Sequence, residues 1–408
     1  MSESALVQTG GDRAAPSPDA RTAGFPQAVI LLLASCLSVL AAVLLTPVLP
    51  KMEDAFAGTS GVKVLVPVTV TVPALMIGLL APVAGSFVDR VDRKRLLVGS
   101  LLLYAVFGTM PLWLDSLPLI VASRAAVGVT EAAIMTCCTT LIADYFSGAQ
   151  RAKYLGMQVV FTEISAVLFF GLGGALGNAG WRVPFWLYAV SPVFAVLVAV
   201  FIWQPRPSAE RQVKLPPIPW RTLGLPCGIT LFGGLVFYVP VIELSFVLKD
   251  IGIDSTGTVG LVSAVATAAT AAGGLSFGRI SARGPRVLLT IAFTLAGVGQ
   301  VILALGSSLP VVIIGDVIAG AGNGLLLPTL LTWALSTLRY EERGRGTGLW
   351  TASFSYGQFF CPLIVLGLSA ALTGLSSAIV LIGALALAAA TVLGFTLRQG
   401  AVQLSEAH

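Results

Sequence analysis

Four ionisable side chains stand inside stretches that are otherwise continuously apolar: Arg124, Glu131, Glu163 and Asp316, with Glu243 nearer the end of another such stretch. Stretches of about twenty apolar residues are long enough for a helix to cross the hydrocarbon layer of a membrane. A charge at the centre of that layer costs at least ~2.5–3.5 kcal/mol on insertion scales, so each retained charge is a functional candidate. Arg124 and Glu131 are seven residues apart, almost two helical turns, which places them on one face about 10 Å apart in height. Buried carboxylates beside an arginine have environment-sensitive proton affinities, which is what proton coupling requires. Glu131, with Arg124 as its electrostatic partner, is the first choice for a proton carrier. Glu163 and Asp316 are second choices, because neither has an arginine two turns away on its own helix. Plainer readings stand beside these: Arg124 and Glu131 neutralise one another, Glu163 bonds neighbouring hydroxyls, and Glu243 sits in water at an outer rim.

Other reactive types are scarce. The single histidine is His408, so no buried imidazole is available. The five cysteines (Cys36, Cys137, Cys138, Cys227 and Cys361) all fall in apolar stretches, with no spacing that suits a metal site and no expectation of disulfides. No nucleophile–base pair, metal cluster or cofactor loop supports an enzyme, and no cofactor is expected.

The elements that position the charges are membrane spans. Hydrophobic residues make up 56% of the chain and charged ones 11%, against roughly 25% charged in soluble domains; the mean hydropathy is +0.92. The pattern predicts twelve helices at about 26–49, 62–87, 96–114, 117–143, 152–178 and 182–203, then 221–248, 256–278, 286–306, 309–336, 346–371 and 374–397. Residues 1–24 lack the order of a signal peptide and are expected to be a disordered tail. The proline-rich stretch 204–220 reads as a linker between six-span halves at 25–203 and 221–397, with a second tail at 398–408. With both termini in the cytoplasm, nineteen of the 24 Lys and Arg residues fall on the cytoplasmic side, as the positive-inside rule requires. That sorting explains the net charge of +5 without nucleic acid.

The halves resemble each other. Gly85-Ser-Phe-Val-Asp89-Arg90 is echoed by Gly274-Leu-Ser-Phe-Gly278-Arg279 at an offset of 189. Arg124-x-x-x-Gly128 is echoed by Asp316-x-x-x-Gly320, and Arg151-x-x-x-x-Gly156 by Arg343-x-x-x-x-Gly348, both at 192. A register kept in this way suggests a duplicated six-span unit, and such parallel repeats place a substrate site near the midplane between them. Phe161, Phe169, Phe170, Phe237, Tyr238, Trp333, Trp350, Phe354 and Tyr356 are candidates to line it. Glycines between 171 and 177 and between 315 and 324 suit close helix packing.

On these residues the chain resembles the major facilitator superfamily over Phe25 to Leu397. The family's loop G-x-L-x-D-R-x-G-R-R/K stands here as Gly85-Ser-Phe-Val-Asp89-Arg90-Val-Asp92-Arg93-Lys94-Arg95, with Phe87 for Leu and Asp92 for the turn Gly. The resemblance implies that Gly85, Asp89, Arg90 and Arg93 form a conformational latch. Asp89 would cap a helix of the opposite half, and Arg93 would pair with Asp144 at the end of span four. Arg124-x-x-x-Gly128-x-x-Glu131 is similar to the R-x-x-x-G-x-x-E/Q form of exporters and of organic-anion and lipid carriers, and Gly357-Gln-Phe-Phe-Cys361-Pro362 to the exporters' G-Q-F-x-x-P. Span five keeps only Gly173-Gly174 of the drug antiporters' G-x-x-x-G-P-x-x-G-G, which weakens that assignment.

The expectation is an all-α membrane protein of twelve transmembrane helices in two pseudo-symmetric six-helix bundles. It would be a monomer in the cytoplasmic membrane that moves a small organic solute by alternating access, with proton-coupled efflux as the leading mode. Arg124, Glu131, Glu243, Phe161, Tyr238, Trp333, Trp350 and Tyr356 would line the substrate cavity. The alternatives are a uniporter or proton symporter importing a metabolite such as an organic anion, and a non-transporting receptor or scaffold.

Overall fold

The computed structural model describes residues 23–88, 91–205, 220–339, 342–372 and 374–397. Most of the expected tails and linker lie outside these residues. Among the described residues there is no strand. The first half holds α1 (Phe25–Val43), α2 (Leu49–Ala55), α3 (Val62–Val88), α4 (Arg93–Thr109), α5 (Leu117–Tyr145), α6 (Gly148–Gly177) and α7 (Ser191–Phe201). The second holds α8 (Trp220–Asp250), α9 (Thr256–Ile280), α10 (Gly284–Leu305), α11 (Leu309–Ser336), α12 (Arg343–Ala371) and α13 (Leu375–Thr396).

Local chemistry explains the departures from twelve plain rods. The first crossing breaks after α1 at a 3-10 turn over Thr46–Val48 that carries Pro47, and resumes as α2. The sixth begins as a 3-10 stretch, Val183–Val190, before α7. The apolar helical run Thr256–Leu305 is 50 residues long, about 75 Å at 1.5 Å per residue and more than twice a bilayer's hydrocarbon thickness. It is two crossings, α9 and α10, reversed at Ser281–Arg283 and Gly284, whose φ of +80° is open to glycine at no steric cost.

The two six-helix bundles repeat one packing plan. α3 and α4 pack on α5, α7 on α4, and α6 on α1; correspondingly α9 and α10 pack on α11, α13 on α10, and α12 on α8. The halves meet chiefly along two equivalent lines, α6 against α9 and α12 against α3. One face of the bundle, called basic here, carries Arg93, Lys94, Arg95, Arg151, Lys153, Arg279, Arg283, Arg286, Arg339, Arg343 and Arg345 at its helix ends and turns. The opposite face carries Lys51, Lys63, Arg182 and Lys249. Large apolar side chains such as Leu261, Leu275, Val200 and Phe395 are exposed around the perimeter, as suits a surface that faces lipid.

Candidate functional site

α3 contains Pro73, which lacks an N–H, so the carbonyl of Thr69 four residues earlier has no helical donor. α1 ends at Val43, and the Ala41 carbonyl in its last turn is likewise left over. Arg124 of α5 supplies both. Its Nε donates to Thr69 O at 3.2 Å and its Nη2 to Ala41 O at 3.0 Å, while Nη1 donates to Tyr188 Oη at 2.7 Å. Gly128, one turn along the same face, permits the approach, because a Cβ there would lie 2.5 Å from Pro73 Cα. The R-x-x-x-G spacing is thus a clamp that ties the first, second, fourth and sixth crossings together. Arg124 is 0% exposed.

The repeat-equivalent pair behaves differently. Gly320 again seats its helix, with a Cβ that would lie 2.5 Å from Ala266 O of α9. But α9 has no proline and frees no carbonyl, and a carboxylate could not donate to one. Several helix prolines free carbonyls in this half; on α8 Pro240 releases Val236 O, and Gln300 Nε2 takes it at 2.6 Å. Asp316 is left to face a cavity of ≈ 210 Å³ between the halves, shared with Glu163 from the middle of α6. Asp316 is 3% exposed and its Oδ2 has no hydrogen-bond partner. Glu163 is half-buried and makes no hydrogen bond or ion pair among the described residues. Phe170, Phe237, Tyr238, Phe354, Thr267, Thr270 and Gln358 complete the walls, and no Lys, Arg or His is among the lining residues.

Asn323 also lines the cavity, and the sequence reading missed it. The 192-residue offset that pairs Arg124 with Asp316 also pairs Glu131 with Asn323, so the repeat held the signal. Its Nδ2 donates to Phe237 O at 3.2 Å, leaving Oδ1 without a partner.

The cavity is shut toward the opposite face. Gly174 of α6 and Gly260 of α9 meet so closely that a Cβ on either would lie 2.8 Å from the other's Cα. Thr256 Oγ1 donates to Gly174 O and lies equally near Asn178 Oδ1, at 2.9 Å each. Lys249 bridges the halves to Asp54 at 2.8 Å. Beneath these, Val43, Ala166, Phe170 and Ala264 form a small apolar plug.

Several expected roles are redistributed. Glu131 is buried in α5 with Oε2 unpartnered, lies outside the cavity lining, and forms no ion pair with Arg124; the guanidinium is already committed to oxygens of other helices. Glu243 is buried in α8 rather than at a wet rim, and is not in the lining. Of the eight residues expected to line the cavity, Tyr238 does so, its Oη donating to Ala42 O across the halves at 3.4 Å. Phe161 lines a separate apolar pocket between α1, α6 and α7. Trp333 is buried elsewhere in its half, Trp350 stacks on Phe354 at 5.8 Å, and Tyr356 lies against Gly78 of α3. Arg93 is ion-paired with Asp144, but this joins α4 to α5 inside one half and so cannot by itself latch two. Gly85 is in the last turn of α3, while Asp89 and Arg90 lie outside the described residues.

The family model described as Major Facilitator Superfamily matches residues 31–241 and 224–406. The 3-(3-hydroxy-phenyl)propionate transporter of Escherichia coli K12 is 28% identical over 295 residues, 68% of this chain and 71% of that protein. The class C tetracycline resistance protein of Escherichia coli is 28% identical over 51% of this chain and 52% of its own. Quinolone resistance protein NorA of Staphylococcus aureus is 26% identical over 44% and 50%; the chain thus spans about half the length of these two relatives. A crystal structure of a bacterial homolog to the human lysosomal transporter Spinster, inward-facing and occupied, superposes with a TM-score of 0.75 at 16% identity. It covers 91% of this chain and 97% of that one, a likeness of fold alone.

Proposed function

We infer the function from one premise: the chain belongs to the Major Facilitator Superfamily and is a membrane transporter. A small organic solute occupies the cavity between the halves and reaches the two faces alternately, as the bundles rock about a fixed site. The basic face is cytoplasmic by the positive-inside rule. The protein sits in the cytoplasmic membrane with both termini inside, and this conformation is closed toward the outside. Likeness to two resistance proteins favours efflux.

One observation carries the coupling reading. Glu163 and Asp316, from opposite halves, face one cavity with no basic side chain in its lining. Unpaired carboxylates in such a place resist closure of the low-dielectric space around them unless a proton or a solute charge neutralises them. Proton and solute therefore alternate: the cavity gives up its proton toward the cytoplasm, takes the solute, turns outward, and exchanges the solute for a proton there. This assigns the coupling to Glu163 and Asp316, with Glu131 a buried carboxylate off the route.

The test is solute-stimulated proton flux in vesicles holding the purified protein, screened over cationic, anionic and lipid-like compounds. Wild type is expected to concentrate its solute against an imposed pH gradient. Asp316→Asn and Glu163→Gln should still exchange solute between the two sides but lose gradient-driven accumulation, and Glu131→Gln should keep it. Accumulation lost only in Glu131→Gln would return the coupling to α5. For orientation, reporters fused at Met1 and His408 should both signal from the cytoplasm; an external signal from either would reverse or break the assigned topology.

A further inference from the structure

The two fully buried polar atoms of the lining that lack a partner, Asp316 Oδ2 and Asn323 Oδ1, are both acceptors, while the less buried Gln358 adds an amide to the wall. Asp316 Oδ2 has no donor, and the residue is 3% exposed. Asn323 is also 3% exposed. Because the Phe237 carbonyl can only accept, the amide must turn its Nδ2 toward it, which leaves Oδ1 empty-handed beside the same space. Glu163 adds a second carboxylate from the other half. Buried acceptors without donors cost free energy, and more so when charged. An occupant that brings N–H donors and a positive charge removes that cost; one that brings a carboxylate adds to it. The rest of the wall is aromatic, with Phe237 and Phe354 edge to face at 5.5 Å and Phe170 on the side of the plug. Such rings bury an apolar body and attract a cation held over their faces.

We propose that the occupant is an organic ammonium ion, a protonated amine on an aromatic body, held by Asp316, Asn323 and Glu163 against Phe237 and Phe354. The proposal rests on the reading of this cavity as the transport site, and it separates this chain from a carrier of aromatic carboxylates. A phenylpropionate-type anion would meet two carboxylates here and no lining cation.

The experiment measures equilibrium binding to the purified full-length protein in detergent, with no gradient, by titration calorimetry. The probes are 2-phenylethylammonium, its neutral counterpart 2-phenylethanol, and 3-phenylpropionate. The ammonium ion is expected to bind at least about tenfold more tightly than the alcohol, the anion not measurably. Asp316→Asn should remove about tenfold or more of the ammonium affinity, as loss of a charge-assisted contact does. Asp316→Glu should restore part of it. Thermal unfolding of each variant separates a lost contact from a lost fold, and the wild-type ranking needs no variant. Equal affinity for ammonium and alcohol, tighter binding of the anion, or an Asp316→Asn variant of unchanged affinity would each overturn the proposal. Because no proton flux is read, ammonium binding without coupling would defeat only the coupling reading. Coupled transport of another solute, without ammonium binding, would defeat only this one.

Discussion

Replacing Gly260 with valine is expected to hold the protein open toward the face opposite the basic loops and to stop turnover. The new side chain would start 2.5 Å from Phe170 O and 2.8 Å from Gly174 Cα. These are backbone atoms of a helix that cannot step aside as a flexible side chain would. Overpacking of this kind costs about 1–3 kcal/mol, which falls only on the conformation in which α6 and α9 touch. Such a difference shifts a two-state equilibrium by roughly 5- to 150-fold. The measurement is labelling of a cysteine introduced at Ala42, in the cavity wall beneath the plug, by a membrane-impermeant thiol reagent added from the outside. Labelling should rise several-fold or more in Gly260→Val and stay at the background level in Gly171→Val, a position on α6 with open space around it. Unchanged labelling in a folded Gly260→Val protein would mean that this contact does not separate the two states.

Arg124→Leu is expected to produce the largest loss of stability. Hydrogen bonds to charged groups contribute about 1.5–3 kcal/mol each, and leucine would abandon the Thr69 and Ala41 carbonyls and the Tyr188 hydroxyl together inside the bundle. Allowing for partial relaxation, the cost is about 3–5 kcal/mol, a fall in melting temperature of about 10 °C for a bundle of this size. Arg124→Lys should fall between, since an ammonium on a single stem does not span three acceptors as a planar fork does. Thermal unfolding followed by tryptophan fluorescence reads both. A wild-type melting temperature in Arg124→Leu would show that the arginine does not hold the helices, and would return it to the list of groups awaiting a solute.

The chain carries much of its architecture in linear pattern. That it crosses a membrane twelve times in two related halves was legible, because span length and the sorting of Lys and Arg are properties of short segments. The starts of α3 and α9 and the α11 bounds fell where the pattern placed them. Breaks set by proline, such as the one between α1 and α2, were in principle legible too. The repeat offset reached further: applied to Glu131 it points to Asn323, which lines the cavity. What the sequence could not decide was the partner of each intramembrane charge. Seven-residue spacing places Arg124 and Glu131 on one side of α5, but a helix turns that side toward whatever its neighbours present. Two carbonyls released on α3 and α1, and a glycine that lets α3 come close, committed the guanidinium to oxygens of other helices rather than to an ion pair with the carboxylate. Asp316, at the matching position on α11, met no such need on a proline-free α9 and was left facing the space between the halves. Hydropathy and spacing are one-dimensional and survive in the chain; which acceptors are left unsatisfied, and within whose reach, exists only once the helices are packed.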